Sequence, residues 1–305
     1  MNLKHRILPY LILVLTTLIW STNFIIGKAL TGIPPLLLAT ARFSVAAVIF
    51  VFLLYVRGEK IPRGTVWRSI FLMGFTGIFI FNPLLYLGLH YTTSINATII
   101  NSFNPLMIAL VSFFWLSERL SKLKLLGLAL SILGIGWIAI QGTWSNLEKL
   151  QFNSGDLLII LDTLVWAIYT VVIKRAADKL TTAQSAAFPI FAGLLFLLPA
   201  TAVENIYQPL PSLSLSVGVA LVYLGLFPSV VAYLLWNRAV AEVGPTQAGI
   251  FYNLIPVFNI LLALPLLHEQ LLRYHVIGGL FIITGIILAS VPTPDRGDKV
   301  PSPDH

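Results

Sequence analysis

A chain of 305 residues, 57% hydrophobic and only 10% charged, with mean hydropathy +0.89, carries too little charge to build a water-soluble surface. Soluble domains carry about 25% charged residues, so lipid must face most of this one. The absence of cysteine excludes disulfides and Cys-ligated metals. The net charge of +7 resides in short loops between apolar runs, where it reads as a topology signal and not as a nucleic-acid footprint.

A helix needs roughly 20 apolar residues to cross the hydrocarbon core. Ten runs qualify, at about 9–30, 34–56, 67–89, 93–116, 122–141, 155–175, 181–202, 213–237, 244–267 and 273–292. The first follows Lys4-His5-Arg6 and contains Trp20, Asn23 and Lys28. It is too long and too polar for a signal-peptide core, so it reads as a retained helix. The longest polar connection, Gly142 to Gly155, separates the fifth run from the sixth. The tail from Pro292 is rich in Pro and Asp and reads as disordered.

A shift of 151 residues lays the chain on itself: Gly74 falls on Gly225, Pro105 on Pro256, Glu118 on Glu269, Gly127 on Gly278 and Gly134 on Gly285. Near the start a shift of 146 pairs Trp20 with Trp166 and Lys28 with Lys174. The expected organisation is a cytoplasmic segment 1–8, a first repeat 9–141, a connection 142–154, a second repeat 155–292 and a cytoplasmic tail 293–305. Orientation follows from the 19 Lys and Arg residues. With the N-terminus in the cytoplasm, Arg42 lies within a span and Lys28, Lys149 and Arg273 fall outside, which leaves fifteen inside. Five spans per repeat is odd, so the second copy must be inverted.

Trp20-Ser21-Thr22-Asn23-Phe24, Arg42-Phe43, Asn104-Pro105 and the endings Ser117-Glu118-Arg119-Leu120 and His268-Glu269-Gln270-Leu271 recur in order across roughly 9–292. In these motifs the chain resembles the drug/metabolite transporter superfamily and, within it, EamA-type exporters. The resemblance implies an all-α integral membrane protein: ten transmembrane helices in two inverted five-helix repeats, a basket around a central cavity. It implies a multi-pass protein of the inner membrane that exports amino acids or other small metabolites.

Polar side chains within a span point to a bundle interior or a watery cavity. Asn82 and Tyr86 share a helix face, and their counterparts are Tyr233 and Asn237, the same residue types in swapped order. Asn101 maps onto Tyr252, Trp20 onto Trp166 and Asn23 onto Tyr169. Together these residues are expected to form one site of aromatic faces, amides and hydroxyls for a small uncharged or zwitterionic solute. Arg42 lies about eight residues into its span; a charge there costs about 2.5–3.5 kcal/mol on insertion scales and needs a partner. It binds a substrate carboxylate, pairs with Asp162 or snorkels outward. Asp162 is the one acid in a span interior and the candidate for proton coupling. Pro105 and Pro256 are paired hinge candidates. Glu118 and Glu269 are expected to favour the next helix's N-terminus and fix a sharp turn. The glycine pairs 127/134 and 278/285 read as helix packing. Tyr86→Ala and Trp166→Ala are expected to weaken transport and leave stability nearly intact.

No Walker-type loop, no His-Glu-x-x-His and no intramembrane-protease motif occurs. No cofactor or metal is called for, and the expected partners are a small-molecule substrate and the bilayer. A transporter working by alternating access is the leading reading. A passive channel or lipid-handling protein predicts instead a continuous polar lining or a lipid-open groove. A membrane-embedded enzyme predicts paired acids or a nucleophile and base in one chamber. Monomer and homodimer stay open.

Overall fold

The computed structural model describes residues 3–116, 122–145, 153–208 and 214–290. Its helices are α1 (Leu3–Ala29), α2 (Pro35–Val56), α3 (Val66–Tyr91), α4 (Ser94–Leu116), α5 (Lys122–Ala139), α6 (Ser154–Ala176), α7 (Thr182–Tyr207), α8 (Leu215–Val243), α9 (Pro245–Leu266) and α10 (Arg273–Ser290). No strand occurs among the described residues. Among the described residues eight helices, α1–α4 and α6–α9, are long and apolar enough to cross a membrane. The chain is thus an all-helical, multi-pass membrane protein.

In an apolar solvent the free N–H groups at helix starts must find partners inside the protein. Local caps serve α4, α6, α7 and α8, the last through Ser214, which accepts from the Val217 N–H. Thr93 accepts from the Asn96 N–H, Asn153 from Gly155 and Asp156, and Thr181 forms a reciprocal capping box with Gln184. α2, which lacks a local cap, and α4, which has one, also draw on acids from distant helices. α2 begins with two prolines and no side-chain cap; its Leu36 and Leu37 N–H groups donate to Glu204 of α7 at 3.2 and 2.8 Å. The Ser94 and Ile95 N–H groups of α4 donate to Glu269 at 2.8 and 3.0 Å. Glu269 therefore serves α4 and not the helix that follows it, contrary to expectation. The reason is solvation: Ser94 is fully buried, whereas Leu272 and Arg273 at the start of α10 are exposed. Glu118 and its neighbours Ser117, Arg119 and Leu120 lie outside the described residues.

Four helices are irregular, and in repeat-related pairs. α3 widens into a π-helical stretch at Gly74–Ile80 and α8 does so at Gly225–Val231. Both open on a glycine pressed against a neighbouring backbone. A Cβ on Gly74 would stand 2.7 Å from the Pro189 carbonyl oxygen, and one on Gly225 2.9 Å from that of Arg42. A π-turn shifts the side chains beyond it around the helix axis, and such turns recur at functional sites. α4 breaks after Asn101 and resumes at Asn104; α9 tightens to 3₁₀ over Ile250–Asn253 and resumes at Leu254. Pro105 and Pro256 fall just inside the resumed segments, where a missing N–H costs little. Pro105 cannot donate to the Asn101 carbonyl, and the Asn104 side chain does so instead at 3.0 Å.

α5 and α10 pack on each other through the four glycines. A Cβ on Gly134 would meet the Gly278 carbonyl oxygen at 2.6 Å, and one on Gly285 would run into the carbonyl oxygen of Gly127. The pairing 127 with 285 and 134 with 278 runs antiparallel, and Ser131 Oγ donates to the Ile282 carbonyl at 3.3 Å between them. Gly136, two residues from Gly134, faces open space. Gly134→Ala is therefore expected to destabilise the protein by about 1–3 kcal/mol through overpacking. Gly136→Ala should be neutral or slightly stabilising, since alanine is the better helix former by about 1 kcal/mol. Thermal unfolding of the two purified variants checks this; equal melting curves would contradict the close packing.

Candidate functional site

Arg42 sits at the centre of the fold and is 1% exposed. Its Nε donates to Ser229 Oγ at 2.8 Å. Its Nη1 donates to Asn23 Oδ1 at 2.9 Å, Asn82 Oδ1 at 3.1 Å and Tyr86 Oη at 2.6 Å. Tyr86 Oη donates in turn to Asn23 Oδ1 at 2.9 Å, and the Phe43 ring lies 4.8 Å from the guanidinium carbon. One side chain of α2 thus ties together α1, α3 and α8 through neutral oxygens, and these bonds leave Nη2 unused. Of the three partners open to Arg42 in the sequence, pairing with Asp162 does not occur and outward snorkelling is excluded by its burial.

Asn82 holds its orientation through the π-stretch: its Nδ2 donates to the Gly77 carbonyl at 3.0 Å, five residues back. The Tyr233 hydroxyl donates to the same carbonyl at 2.9 Å and accepts from Asn82 Nδ2 at 3.4 Å. Asn82 and Tyr233 are 151 residues apart, as are Ser131 and Ile282. Equivalent positions of the two repeats therefore touch each other.

An aromatic layer packs beside this polar centre. Trp20 meets Trp166 edge-on at 5.2 Å, Trp236 at 5.2 Å and Tyr252 at 5.6 Å. Trp166 also lies 4.6 Å from Phe81 and 4.8 Å from Tyr169. Trp20 Nε1 donates to the Pro228 carbonyl at 3.2 Å, a group the π-stretch of α8 leaves available.

The structure brings Trp20, Asn23, Arg42, Asn82, Asn101, Tyr233 and Tyr252 to one central cavity, with Tyr86 behind Arg42 and Trp166 behind Trp20. Tyr169 and Asn237 are not on its wall: they bond each other at 2.9 Å, and Asn237 Nδ2 donates to the Ser185 carbonyl at 2.8 Å. Asp162 is fully buried beside Asn101, off the cavity wall, and neither carboxylate oxygen has a hydrogen-bond partner. The cavity measures about 10 Å³, room for about one water molecule. In this conformation the central site has no room for a larger solute.

Ser229, Trp236 and Gly77 belong to the site and escaped the sequence reading. Ser229 is four residues before Tyr233, so a polar pair on one face of a helix was the available signal.

One end of the bundle is tied together by buried and part-buried polar bonds. Lys28 Nζ donates to the Leu89 and Thr92 carbonyls, both at 2.7 Å. Asp156 of α6 accepts from Thr92 Oγ1 and from Asn96 Nδ2, and Glu269 caps α4 beside them. Lys174, the counterpart of Lys28, donates to the Ala241 carbonyl at 3.0 Å in an exposed setting. Both lysines meet carbonyls near a helix C-terminus, where a cation is favoured.

The helical fold, the paired irregularities and the central buried polar site define a membrane transporter. The chain belongs to the EamA-like transporter family, whose model matches twice, over residues 7–140 and 153–291. It is 27% identical to the uncharacterized transporter YyaM of Bacillus subtilis over 92% of this chain and 93% of that one. It is 30% identical to an uncharacterized transporter of Archaeoglobus fulgidus over 92% and 96%. It is 25% identical to a protein of Streptantibioticus cattleyicolor named a probable terminal-alkyne amino-acid exporter, over 95% and 96%. A solved crystal structure superposes with a TM-score of 0.66 at 22% identity, over 92% of this chain and 96% of that one, which shows the shared fold alone.

Proposed function

We propose that this protein exports, or facilitates the movement of, small metabolites by alternating access around the Arg42 site. The favoured solutes are amino acids or related zwitterionic compounds with an apolar or aromatic side chain. The observation that carries this reading is the Arg42 guanidinium itself. It is buried on the cavity wall without an acid partner, and Nη2 is left over from its four bonds. A carboxylate is the natural complement of such a fork. The aromatic layer of Trp20 and Tyr252 offers apolar faces on the same wall. The relative named a probable terminal-alkyne amino-acid exporter supports this class of solute.

The reading includes ten membrane spans in two inverted repeats. The swapped glycine pairing of α5 with α10 supports it. Gly127 is equivalent to Gly278 and Gly134 to Gly285, yet Gly127 meets Gly285 and Gly134 meets Gly278. Such an exchange is what a two-fold axis produces, and because the helices are antiparallel the axis lies across them, in the membrane plane. The contact of Asn82 with Tyr233 supports an axis that passes through the central site. In this reading Asp162 is the coupling carboxylate, and the interruptions beside Pro105 and Pro256 are the flexing points. A cavity that holds about one water, without a continuous polar lining, favours a transporter over an open channel.

In this reading both termini face the cytoplasm, which the distribution of Lys and Arg among the loops supports. The absence of native cysteine makes the test direct. Arg63→Cys and Ser302→Cys should react with a membrane-impermeant thiol reagent only from the cytoplasmic face. Reaction of either from the opposite face would rule out this topology. Counterflow of a panel of radiolabelled amino acids into proteoliposomes then tests the solute class, and no exchange with any of them would refute it.

A further inference from the structure

A second cavity lies on the lipid side of the fold, between α4, α9 and α10, and encloses about 220 Å³. Its lining is apolar apart from Ser102, Asn253 and His275. Its rim residues Val257, Leu280 and Ile283 expose half or more of their surface. In a membrane protein, hydrocarbon and not water meets such an opening.

His275, at the start of α10, supplies a polar end. The Leu272 N–H donates to its Nδ1 at 2.8 Å. A ring nitrogen that accepts carries no proton, so in the neutral ring the hydrogen is on Nε2. Nε2 is buried and has no partner, which leaves a donor without an acceptor. From His275 the cavity follows α10 to Ile283, about 12 Å of helix. A cavity of about 220 Å³ drawn out along that length suits an extended hydrocarbon chain better than a compact solute.

We infer that this groove holds one acyl chain of a bilayer glycerolipid, whose ester carbonyl accepts the Nε2–H of His275. The groove is wide enough for one chain, and its open side lets the second chain stay in the bilayer. The lining contains no Lys or Arg, so the uncharged ester carbonyl suits it better than a free carboxylate, which demands a cation or several donors. The seated chain lies against Ser102 and Asn253, at the interruptions of α4 and α9, and so braces both. The site is separate from the central one and does not depend on what that one carries.

Gly279 provides a filling variant, because a Cβ there meets only Ile99 Cγ2, at an ordinary 3.9 Å. Gly279→Leu occupies the groove from its wall, and His275→Phe removes the donor while keeping a ring. The full-length protein is reconstituted in phosphatidylcholine vesicles carrying a trace of phosphatidylcholine with a diazirine in one chain. After irradiation, labelled peptides are mapped by mass spectrometry. Labelling is expected to concentrate on α9 and α10 relative to the lipid-exposed Val48 and Phe52 of α2. It should fall about tenfold in Gly279→Leu and His275→Phe, with each variant shown folded by its thermal transition. Even labelling of α2 and α10 in the unaltered protein overturns the assignment without recourse to any variant. So does focal labelling that persists in a folded Gly279→Leu protein, or focal labelling by diazirine-bearing palmitic acid in place of the phospholipid.

Discussion

Arg42→Lys is expected to cut counterflow of a carboxylate-bearing solute by about 10–100-fold, with much less effect on its decarboxylated amine. The guanidinium already holds Ser229 through Nε and the Asn23–Asn82–Tyr86 group through Nη1. Only Nη2 is left for a solute. An ammonium has one nitrogen and cannot serve the framework and the cavity together. A hydrogen bond to a charged group is worth about 1.5–3 kcal/mol, and each 1.4 kcal/mol is about tenfold, which gives the expected range. Paired counterflow assays in proteoliposomes, one with the amino acid and one with the amine, separate the roles. An equal fall for both solutes, together with a lowered melting temperature, would make Arg42 a framework residue alone.

Trp166→Ala is expected to destabilise the protein by about 3–5 kcal/mol, the cost of emptying a large aromatic site in a packed core. The sequence reading held that this variant would lose transport and keep its stability. Burial argues for the opposite outcome. Trp166 is 1% exposed and meets Trp20, Phe81, Tyr169 and Trp236 at centroid distances of 6.0 Å or less. No cavity of useful size separates it from these rings, so the closed conformation depends on it. Tyr86→Ala removes a donor to Asn23 and an acceptor for Arg42, and it too disturbs the framework. Thermal unfolding in detergent, with Trp166→Phe as the milder comparison, checks the magnitude. A Trp166→Ala protein that melts with the unaltered one would place the ring in an open chamber.

The apolar runs, the repeat offset and the central position of Arg42 were legible because each rests on composition or spacing. A charge eight residues into a span stands out on any transfer scale. The paired prolines marked the interruptions of α4 and α9, since proline removes a helix hydrogen bond wherever it stands. The π-stretches were not legible: Gly74 and Gly225 announce close packing, not a change of pitch. A further miss has a different cause, since both stretches turn Tyr86 and Asn237 alike: α7 carries no arginine to match Arg42 of α2. A helix wheel of constant period puts Tyr86 and Asn237 in equivalent places, yet Tyr86 joins Arg42 while Asn237 turns to Tyr169 and Ser185. Ser229 was hidden because its repeat partner is Ile78, and a search for matched polar pairs passes over it. Glu269 was recognised as a helix-terminal acid, but its partner is set by burial of Ser94, which depends on tertiary packing.

Alternating access itself is tested most directly at Asn101, which lines the closed central cavity between the two repeats. Asn101→Cys is reconstituted in tight proteoliposomes and treated with a small membrane-impermeant thiol reagent from one face or the other. The cysteine should be labelled from each face in turn, faster in the presence of transported solute, while the reagent itself stays outside the vesicles. Passage of the reagent through the protein, or labelling from a single face whatever solute is present, would contradict a site that opens alternately to the two sides.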